Sequence, residues 1–365
     1  MEKHEPDPMR RAIEVEYWVI DEEGRLVEPG ALVEASAGVE REFVEPLLEI
    51  KTTPCESSAE LRDELLDRLA AVLRAANALD KGLVPLATTV NTDQIRERPS
   101  ERTRIQNLVV GEDFEYVRHC AGTHIHIEQQ PGRVIDQLNT LIALDPALAL
   151  VNSSPYFRGQ RIASGARSKL YRWTAYDNLP HQGRLWPYAD DIAEWTHRLE
   201  QRYEEFVTAA MTAGVDRETI ESRFEPESAV WTPVQLRASF GTIEWRSPDT
   251  TLPSQLLQLT EQVVAVVERL EDTQVRIEGD MGGVTEESIV LPEFDGLLEY
   301  VNAAIQDGVA SDKVQSYLNR MGFDVGAYEP VSQAIDGREP VTPEEACQLR
   351  LEYAAHLEQD VFDGT

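Results

Sequence analysis

The chain has 365 residues, of which 42% are hydrophobic, and its 66 Asp and Glu against 34 Lys and Arg give a net charge of −32. This length and composition allow a sizeable buried core and exclude a disordered acidic tail. Because no basic patch accompanies the acidic residues, we expect no nucleic-acid partner.

Alternation of apolar and polar residues between turn residues predicts strands at 11–21, 43–54, 83–90 and 119–129, and two more within 229–250. Leucines at helical spacing after a capping serine predict a helix over 57–82 that ends at Gly82. Further helical patterns lie at about 133–150, 189–214 and 254–273, and in several segments of 290–360. Hairpin signals beside the strands favour an α+β fold with an antiparallel sheet over a doubly wound parallel sheet.

Four of these strands carry charged residues or histidines two positions apart, which places each pair on one face of its strand. A half-solvated sheet shows the same alternation, so one interpretation of each pair is an exposed polar face. Carboxylates with a histidine and an arginine are also suited to Mg²⁺ and to phosphoryl transfer. The residues alone leave both interpretations open. The pairs are Glu14 and Glu16, Glu49 and Lys51, His124 and His126, and Glu244 and Arg246.

The acidic residues are spread along the whole chain, and only five of the basic residues are lysines. At molar salt the Debye length is about 3 Å, so the self-repulsion of such a surface is screened. We therefore predict a protein adapted to high salt. The alternative is an acidic surface without that adaptation.

Three cysteines, none in a C-x-x-C pair, favour a reducing cytoplasm over a disulfide framework. The N-terminal residues MEKHEPDPMRR contain no apolar run, so no signal peptide is expected. The apolar stretch 138–151 is interrupted by Asp145 and Pro146 and is too short to span a membrane. We expect a cytoplasmic protein without a membrane partner.

Five blocks of the sequence together resemble the glutamate–cysteine ligase family of the second type, which includes the YbdK-like carboxylate–amine ligases. They occur in the family's order and span about 11–253, whereas no motif supports the resemblance beyond about residue 280. The blocks are 13-IEVEYWVID-21, 47-LLEIKTTPC-55, 121-AGTHIHI-127, 152-NSSPYFRG-159 with 164-SGARSKLYRW-173, and 241-GTIEWRSPDT-250.

The resemblance implies a glutamine-synthetase-like fold, in which an antiparallel sheet forms a funnel flanked by helices. It also implies a single catalytic domain over 1–365 with a mainly helical part at 290–365. Members of the family use ATP and Mg²⁺ (or Mn²⁺) to activate a carboxylate as an acyl phosphate, which an amine then attacks. Similarity to haloarchaeal members implies L-glutamate and L-cysteine as substrates, with γ-glutamylcysteine, ADP and phosphate as products.

Residue roles follow from the same resemblance. The implied metal ligands are Glu14, Glu16, Glu49, Glu244 and His124, with Glu42 as a looser match. Glu244, His124 and Arg246 are the implied catalytic residues, and Arg246 would also contact the transferred phosphate of the nucleotide. The implied substrate-binding residues are Arg158, Arg167, Arg172 and His126, although a supporting role is equally open for His126.

Val15 departs from the pattern, since many relatives carry a third acidic residue at this position. Its side chain is expected to point to the core, so the departure implies no loss of chemistry.

Three alternatives remain at this stage. The first is a ligase of the same family with a different amine or acid. The second is a metal-dependent amidohydrolase, because H-x-H on a strand also occurs there, although the order of elements argues against its parallel barrel. The third is a non-catalytic acidic binding protein. All enzymatic interpretations imply small-molecule partners, and the sequence leaves open whether the chain forms a homo-oligomer.

Overall fold

The computed structural model describes residues 8–338 and 340–363, and predictions that fall on 1–7, 339 and 364–365 lie outside these residues. The strands are β1 (Arg11–Asp21), β2 (Val39–Arg41), β3 (Leu47–Lys51), β4 (Lys81–Val84), β5 (Thr123–Glu128), β6 (Tyr156–Phe157), β7 (Gln160–Arg161), β8 (Val234–Arg237), β9 (Thr242–Trp245), β10 (Gln274–Ile277), β11 (Gly283–Val284) and β12 (Ser288–Leu291).

The α-helices are α1 (Ser58–Asn77), α2 (Glu101–Val110), α3 (Phe114–Arg118), α4 (Val134–Ala143), α5 (Ala166–Trp173), α6 (Ile192–Thr212), α7 (Arg217–Arg223), α8 (Pro226–Ala229), α9 (Pro253–Glu268), α10 (Phe294–Gln306), α11 (Asp312–Arg320), α12 (Val331–Ile335) and α13 (Pro343–Asp363). Short 3₁₀ segments cover Gly30–Glu34, Asp145–Val151, Arg269–Glu271, Gly308–Ala310 and Val325–Ala327.

The largest sheet is antiparallel and has the strand order β2-β3-β1-β5-β9-β8, with β4 also paired to β1. A three-stranded sheet of β10, β12 and β11 and a hairpin of β6 and β7 stand apart from it. An antiparallel sheet with many helices is the α+β class that the sequence predicts. It is incompatible with the parallel barrel of an amidohydrolase, so that alternative is wrong.

One face of the large sheet forms the main core. Ile13, Val15, Ile50, Ile125 and Ile243 all point to this face and have no exposed surface. They belong to one apolar cluster with side chains of α1, α4 and α9. Burying each such side chain contributes about 1.5–3 kcal/mol. The expected inward orientation of Val15 is therefore confirmed.

The opposite face of the same strands carries the polar residues that the alternation places together. Because the strands pair antiparallel and in register, these residues meet across neighbouring strands. The facing sets are Glu14 with Lys51 and His124, Glu16 with Glu49, and His126 with Glu244.

Helix α1 begins where the capping serine predicts but ends earlier than predicted. The Ser57 side chain accepts a hydrogen bond from the Glu60 backbone N–H, as an N-cap does. The helix ends at Asn77, and Gly82 lies instead in β4, opposite Ile20. The chain has to reverse before residue 81 so that β4 can pair with β1, which shortens the helix.

Two other regions depart from the local patterns. The helix predicted at 133–150 is divided into α4 and the 3₁₀ segment Asp145–Val151, in which a proline stands in the first turn. Helix α2 and the sheet of β10, β11 and β12 were not predicted. Strands of two to four residues carry too little alternation to be recognised. The parallel pairing of β10 with β12 also leaves no hairpin signal in the sequence.

Within the residues that the structure describes, no single helix is long and apolar enough to cross a membrane. In the described ranges 8–338 and 340–363, one bent pair of helices, α4 and the 3₁₀ segment Asp145–Val151, meets the length and composition criteria jointly, across a bend of 50°.

Candidate active site

A cavity of about 560 Å³ opens over the polar face of the large sheet. It collects most of the residues that the sequence singled out, together with side chains from α2, α5 and the segment before β8. The predicted site residues on its wall are Glu14, Glu16, Glu42, Glu49, His124, His126, Arg167, Glu244 and Arg246.

The two histidines of β5 lie between carboxylates of the neighbouring strands. His124 Nδ1 is 3.3 Å from Glu14 Oε2 and 3.2 Å from Glu244 Oε1. His126 Nε2 lies 3.8 Å from Glu14 Oε1 and 3.7 Å from Glu244 Oε1, while its Nδ1 is 3.2 Å from Thr242 Oγ1. His126 therefore belongs to the same cluster as His124.

The protonation of His124 suits a ligand of a cation. Burial, followed by the positive charge of Arg246, lowers the pKa of His124 despite the nearby carboxylates of Glu14 and Glu244. A lowered pKa keeps the imidazole neutral near pH 7, and a neutral ring nitrogen has a lone pair to donate.

A second carboxylate cluster lies deeper on the same face. Burial and the charge of Glu49 raise the pKa of Glu16 to about 7, and burial and Glu16 raise that of Glu42 to about 7. Burial, Glu42 and Glu14 raise the pKa of Glu49 to about 8, although Lys51 Nζ stands 2.9 Å from its Oε2. Carboxylates packed this closely repel each other, and a cation among them removes that repulsion.

The donor set fits divalent cations. Three groups of side chains each bring their donor atoms within 4.8 Å of one another. The donors are mainly carboxylate oxygens, which Mg²⁺ and Mn²⁺ prefer, and the buried Nε2 of His126 has no hydrogen-bond partner among the described residues. The groups are Glu14, His126 and Glu244; Glu14, Glu49 and His124; and Glu16, Glu42 and Glu49.

Arg246 follows directly on β9 and stands beside the first cluster. Its Nε is 3.4 Å from Glu244 Oε1, and its Nη1 donates to Gln235 Oε1 at 3.3 Å. Arg237 also reaches Glu244, with Nη1 3.2 Å from Oε2. Two guanidinium groups thus meet one buried carboxylate at the edge of the cavity.

Arg167 is buried and lines the cavity without an ion-pair partner among the described residues. Its guanidinium donates to the backbone carbonyls of Arg246, Ser247 and Pro248, and its Nε has no partner. A Cβ on Gly122 would lie 2.0 Å from the Arg167 Nη2, so only glycine at this position lets the guanidinium lie against the β5 backbone. A buried, unpaired cation of this kind is suited to a substrate carboxylate.

Arg172 and Arg158 do not belong to the wall of this cavity in the described residues. Arg172 is buried and pairs with Asp145 at 2.6 Å, and Arg158 pairs with Glu115. Both cations already have a carboxylate partner elsewhere, so we do not retain either one as a substrate ligand. The prediction came from the resemblance of 152–159 and 164–173 to the family's blocks, and of its three arginines the described cavity wall contains Arg167 alone.

The sequence interpretation missed several residues of the cavity wall, among them Tyr171, Trp231 and Arg237, and it missed Gln235, which accepts a hydrogen bond from Arg246. Gln235 and Arg237 have a signal, since they alternate with Val234 and Leu236 on β8 as the other polar pairs do on their strands. Tyr171 and Trp231 have none, because a single aromatic residue outside a periodic pattern is more often part of a core.

Asp249 lies behind the site, and burial raises its pKa to about 7 against the opposing effect of Arg167. Its Oδ2 accepts from the Ser153 N–H, whereas its Oδ1 has no partner among the described residues. A carboxyl whose pKa is higher in the folded than in the unfolded state costs stability once it ionises. That loss begins near the unfolded pKa of about 4 and is complete above pH 7.

We therefore expect Asp249→Asn to raise the free energy of unfolding by about 2–4 kcal/mol more at pH 8 than at pH 5. The reason is that the amide keeps the hydrogen bond to Ser153 but carries no charge. Thermal unfolding of both proteins at the two pH values measures this difference, and the other buried carboxylates, common to both proteins, cancel. Parallel pH profiles would contradict the assignment of Asp249 as the titrating group.

Solved structures of other proteins share this fold. A bifunctional glutathione synthetase from Pasteurella multocida aligns with a TM-score of 0.62 and 14% identity, over 98% of this chain and 54% of that one. A glutamate–cysteine ligase from Francisella tularensis, solved in complex with AMP, aligns with a TM-score of 0.56 and 12% identity, over 98% and 92%. At these identities the likeness concerns the fold alone, and it confirms the predicted fold class.

Curated relatives match this chain over part of their own length. A protein from Jannaschia sp. (strain CCS1), provisionally named glutamate–cysteine ligase 2, is 30% identical over 66% of this chain and 60% of its own length. A protein of the same provisional name from Rhodospirillum rubrum is 27% identical over 65% and 59%. The chain thus spans about 60% of the length of the curated relatives that it matches.

The family assignment has a broader basis. A sequence model described as glutamate–cysteine ligase family 2 matches residues 4–329, which include every strand of the large sheet and all residues of the cavity wall named above. The chain therefore belongs to glutamate–cysteine ligase family 2.

Proposed function

We propose that this chain is an ATP-dependent carboxylate–amine ligase that joins the γ-carboxylate of L-glutamate to the amine of L-cysteine. The observation that carries the proposal is the pair of carboxylate clusters, with two histidines and Arg246, on one face of an antiparallel sheet in a member of this family. In the reaction the terminal phosphate of ATP passes to the γ-carboxylate, and the amine then displaces it. The products are γ-glutamylcysteine, ADP and phosphate.

When held by side chains of the two clusters, Mg²⁺, or Mn²⁺ in its place, would supply positive charge that neutralises phosphate oxygens. The proposed ligands are the side chains whose donor atoms converge in the cavity. They are Glu14, Glu16, Glu49, Glu244 and His124, together with Glu42 and His126.

The arginines of the wall have separate proposed tasks. Arg246, whose Nε is 3.4 Å from Glu244 Oε1, would stabilise the negative charge of the transferred phosphate. Arg167, buried without a carboxylate partner among the described residues, binds a carboxylate of the substrate. Lys51 stays paired with Glu49 and Glu40 and moderates the charge of the deeper cluster.

The composition also supports a proposal about the salt concentration and the cellular location in which the enzyme works. The net charge of −32 with five lysines supports work at high salt, and the sparse unpaired cysteines support a cytoplasmic location. The partners proposed are small molecules, namely ATP, L-glutamate and L-cysteine.

The test is phosphate release from ATP in molar KCl with Mg²⁺, L-glutamate and L-cysteine. We expect release to require all three substrates and to stop when a chelator removes the metal. Reactions that lack cysteine or glutamate serve as controls, and mass spectrometry identifies the product. Release that does not depend on cysteine would contradict this substrate pair, whereas release with another amine would select a ligase of the same family with different substrates.

A further inference from the structure

Two arginines and two aromatic rings form one group on the wall of the cavity: Arg167, Tyr171, Trp231 and Arg246, which we call the arginine–aromatic group. The rings of Tyr171 and Trp231 are stacked, with centroids 4.4 Å apart and planes at 28°. The Arg167 guanidinium carbon lies 5.2 Å from the centroid of the Tyr171 ring, and that of Arg246 lies 5.6 Å from the Trp231 ring. Each cation therefore has an aromatic partner within cation–π distance.

The aromatic contact matters most for Arg246, since its other contacts are long. The Nη1 bond to Gln235 Oε1 measures 3.3 Å, and the approach of Nε to Glu244 Oε1 measures 3.4 Å. Both lie beyond the usual length of a charge-assisted hydrogen bond, about 2.7–2.9 Å. The face of the Trp231 ring is therefore a third contact of this guanidinium, beside two long polar ones.

The position of Trp231 is itself set by main-chain contacts. Its backbone N–H donates to Gln182 Oε1 at 2.6 Å, and its carbonyl accepts from the Gly183 N–H at 2.9 Å. Gly183 has a φ of +75°, and a Cβ there would lie 2.2 Å from the carbonyl oxygen of Tyr171. The close approach of residue 183 to α5 therefore brings the Trp231 ring onto the Tyr171 ring.

We propose that Trp231 is a positioning residue, which fixes the Arg246 guanidinium over the cavity and ties it to Arg167 through the stacked Tyr171 ring. Arg167 Nη2 also donates to the backbone carbonyl of Arg246 at 3.1 Å, so the two arginines are joined at the strand end that follows β9 as well. The expected effect on kcat rests on the proposed ligase function, whereas the accessibility of Arg246 can be measured without any turnover.

The kinetic test compares Trp231→Leu with Trp231→Phe in the full chain at molar KCl. Leucine removes the π face and phenylalanine retains one, so we expect kcat to fall about 10- to 30-fold in W231L and to be largely retained in W231F. The KM for the acid substrate should stay within about twofold of wild type, since Arg246 acts on the transferred phosphate. Trp173→Leu is the matched control, because Trp173 is 41% exposed and lies outside the described lining of the cavity.

A chemical test reports on Arg246 without any turnover. Phenylglyoxal modifies accessible guanidinium groups, and peptide mass spectrometry measures the rate at Arg246 separately from that at other arginines. We expect this rate to rise several-fold in W231L and to match wild type in W231F and W173L. If W231L does not fold, Trp231→Met replaces it, since methionine fills apolar space without a π face.

Turnover and the modification rate of Arg246 together distinguish a failure of the proposed function from a failure of the inference about Trp231. If wild type turns over but W231L matches it in kcat and in modification rate, Trp231 does not position Arg246 and the inference is overturned. If wild type shows no ATP-dependent turnover, the proposed function fails, and the modification rates alone decide the inference. If W231L and W231F lower the melting temperature and lose kcat equally, Trp231 acts through packing alone. That result would also overturn the inference.

Discussion

Glu244→Gln is expected to lower ATP-dependent phosphate release at least about 100-fold while the fold is retained. The Glu244 carboxylate is buried in β9, with Oε1 3.2 Å from His124 Nδ1 and Oε2 3.2 Å from Arg237 Nη1. Glutamine keeps the volume of the side chain but removes the charge that balances Arg237 and Arg246. It also removes an anionic donor from the proposed cation site, so both cation binding and the orientation of Arg246 are affected.

Phosphate release and thermal unfolding, measured on the same preparation, test this expectation. Glu221→Gln is a matched control, because Glu221 is exposed on α7 and pairs only with Arg217 in the described contacts. We expect this control to stay close to wild type, as exposed ion pairs contribute little. Near-full turnover of the Glu244→Gln protein would show that the phosphate and cation site lies elsewhere.

Arg172→Ala is expected to lower the free energy of unfolding by about 3–5 kcal/mol, because it leaves a buried carboxylate without its cation. Arg172 Nη1 donates to Asp145 Oδ2 at 2.6 Å, and Nη2 donates to Asp145 Oδ1 at 3.2 Å and to Ser247 Oγ at 2.8 Å. Trp245 Nε1 donates to Asp145 Oδ1 at 3.1 Å, and Ser247 Oγ donates to the same oxygen at 2.5 Å. This network joins α5, the segment after α4 and the end of β9 beneath the active site.

Chemical denaturation measures the change, and Arg104→Ala provides the comparison. Arg104 pairs with Glu101 on the surface of α2, where both side chains are largely exposed. Its removal should leave the free energy of unfolding almost unchanged, because exposed ion pairs contribute little. If the two variants lose similar stability, the Asp145 network does not anchor α5, and the separation of Arg172 from the site needs another cause.

The outcome for the arginines shows how a helix distributes neighbouring residues. Arg167 and Arg172 both lie in α5, five positions apart. At 3.6 residues per turn, five positions correspond to a rotation of about 140°, so the two side chains point to different sides of the helix. Arg167 reaches the cavity, and Arg172 reaches Asp145. Once the helix is recognised, its periodicity predicts that Arg167 and Arg172 point to different sides.

The histidine pair shows the reverse case. The spacing of His124 and His126 on a strand predicts a shared face, and the structure places both between Glu14 and Glu244. The sequence left the role of His126 open because spacing does not identify the neighbours across the sheet. The register of β5 against β9 brings His126 opposite Glu244, which makes it a member of a proposed cation-binding group.

By itself the sequence determined the local properties that depend on residue spacing. The alternation in β1, β3, β5 and β9 determined which side chains share a face, since successive residues of a strand point to opposite sides. The order of the motif blocks then determined the family. The tertiary structure alone decided which residues meet across the sheet and which arginine faces the cavity. It also decided that Trp231 stands over Arg246, because these contacts join residues far apart in the chain, whose approach depends on strand register and packing.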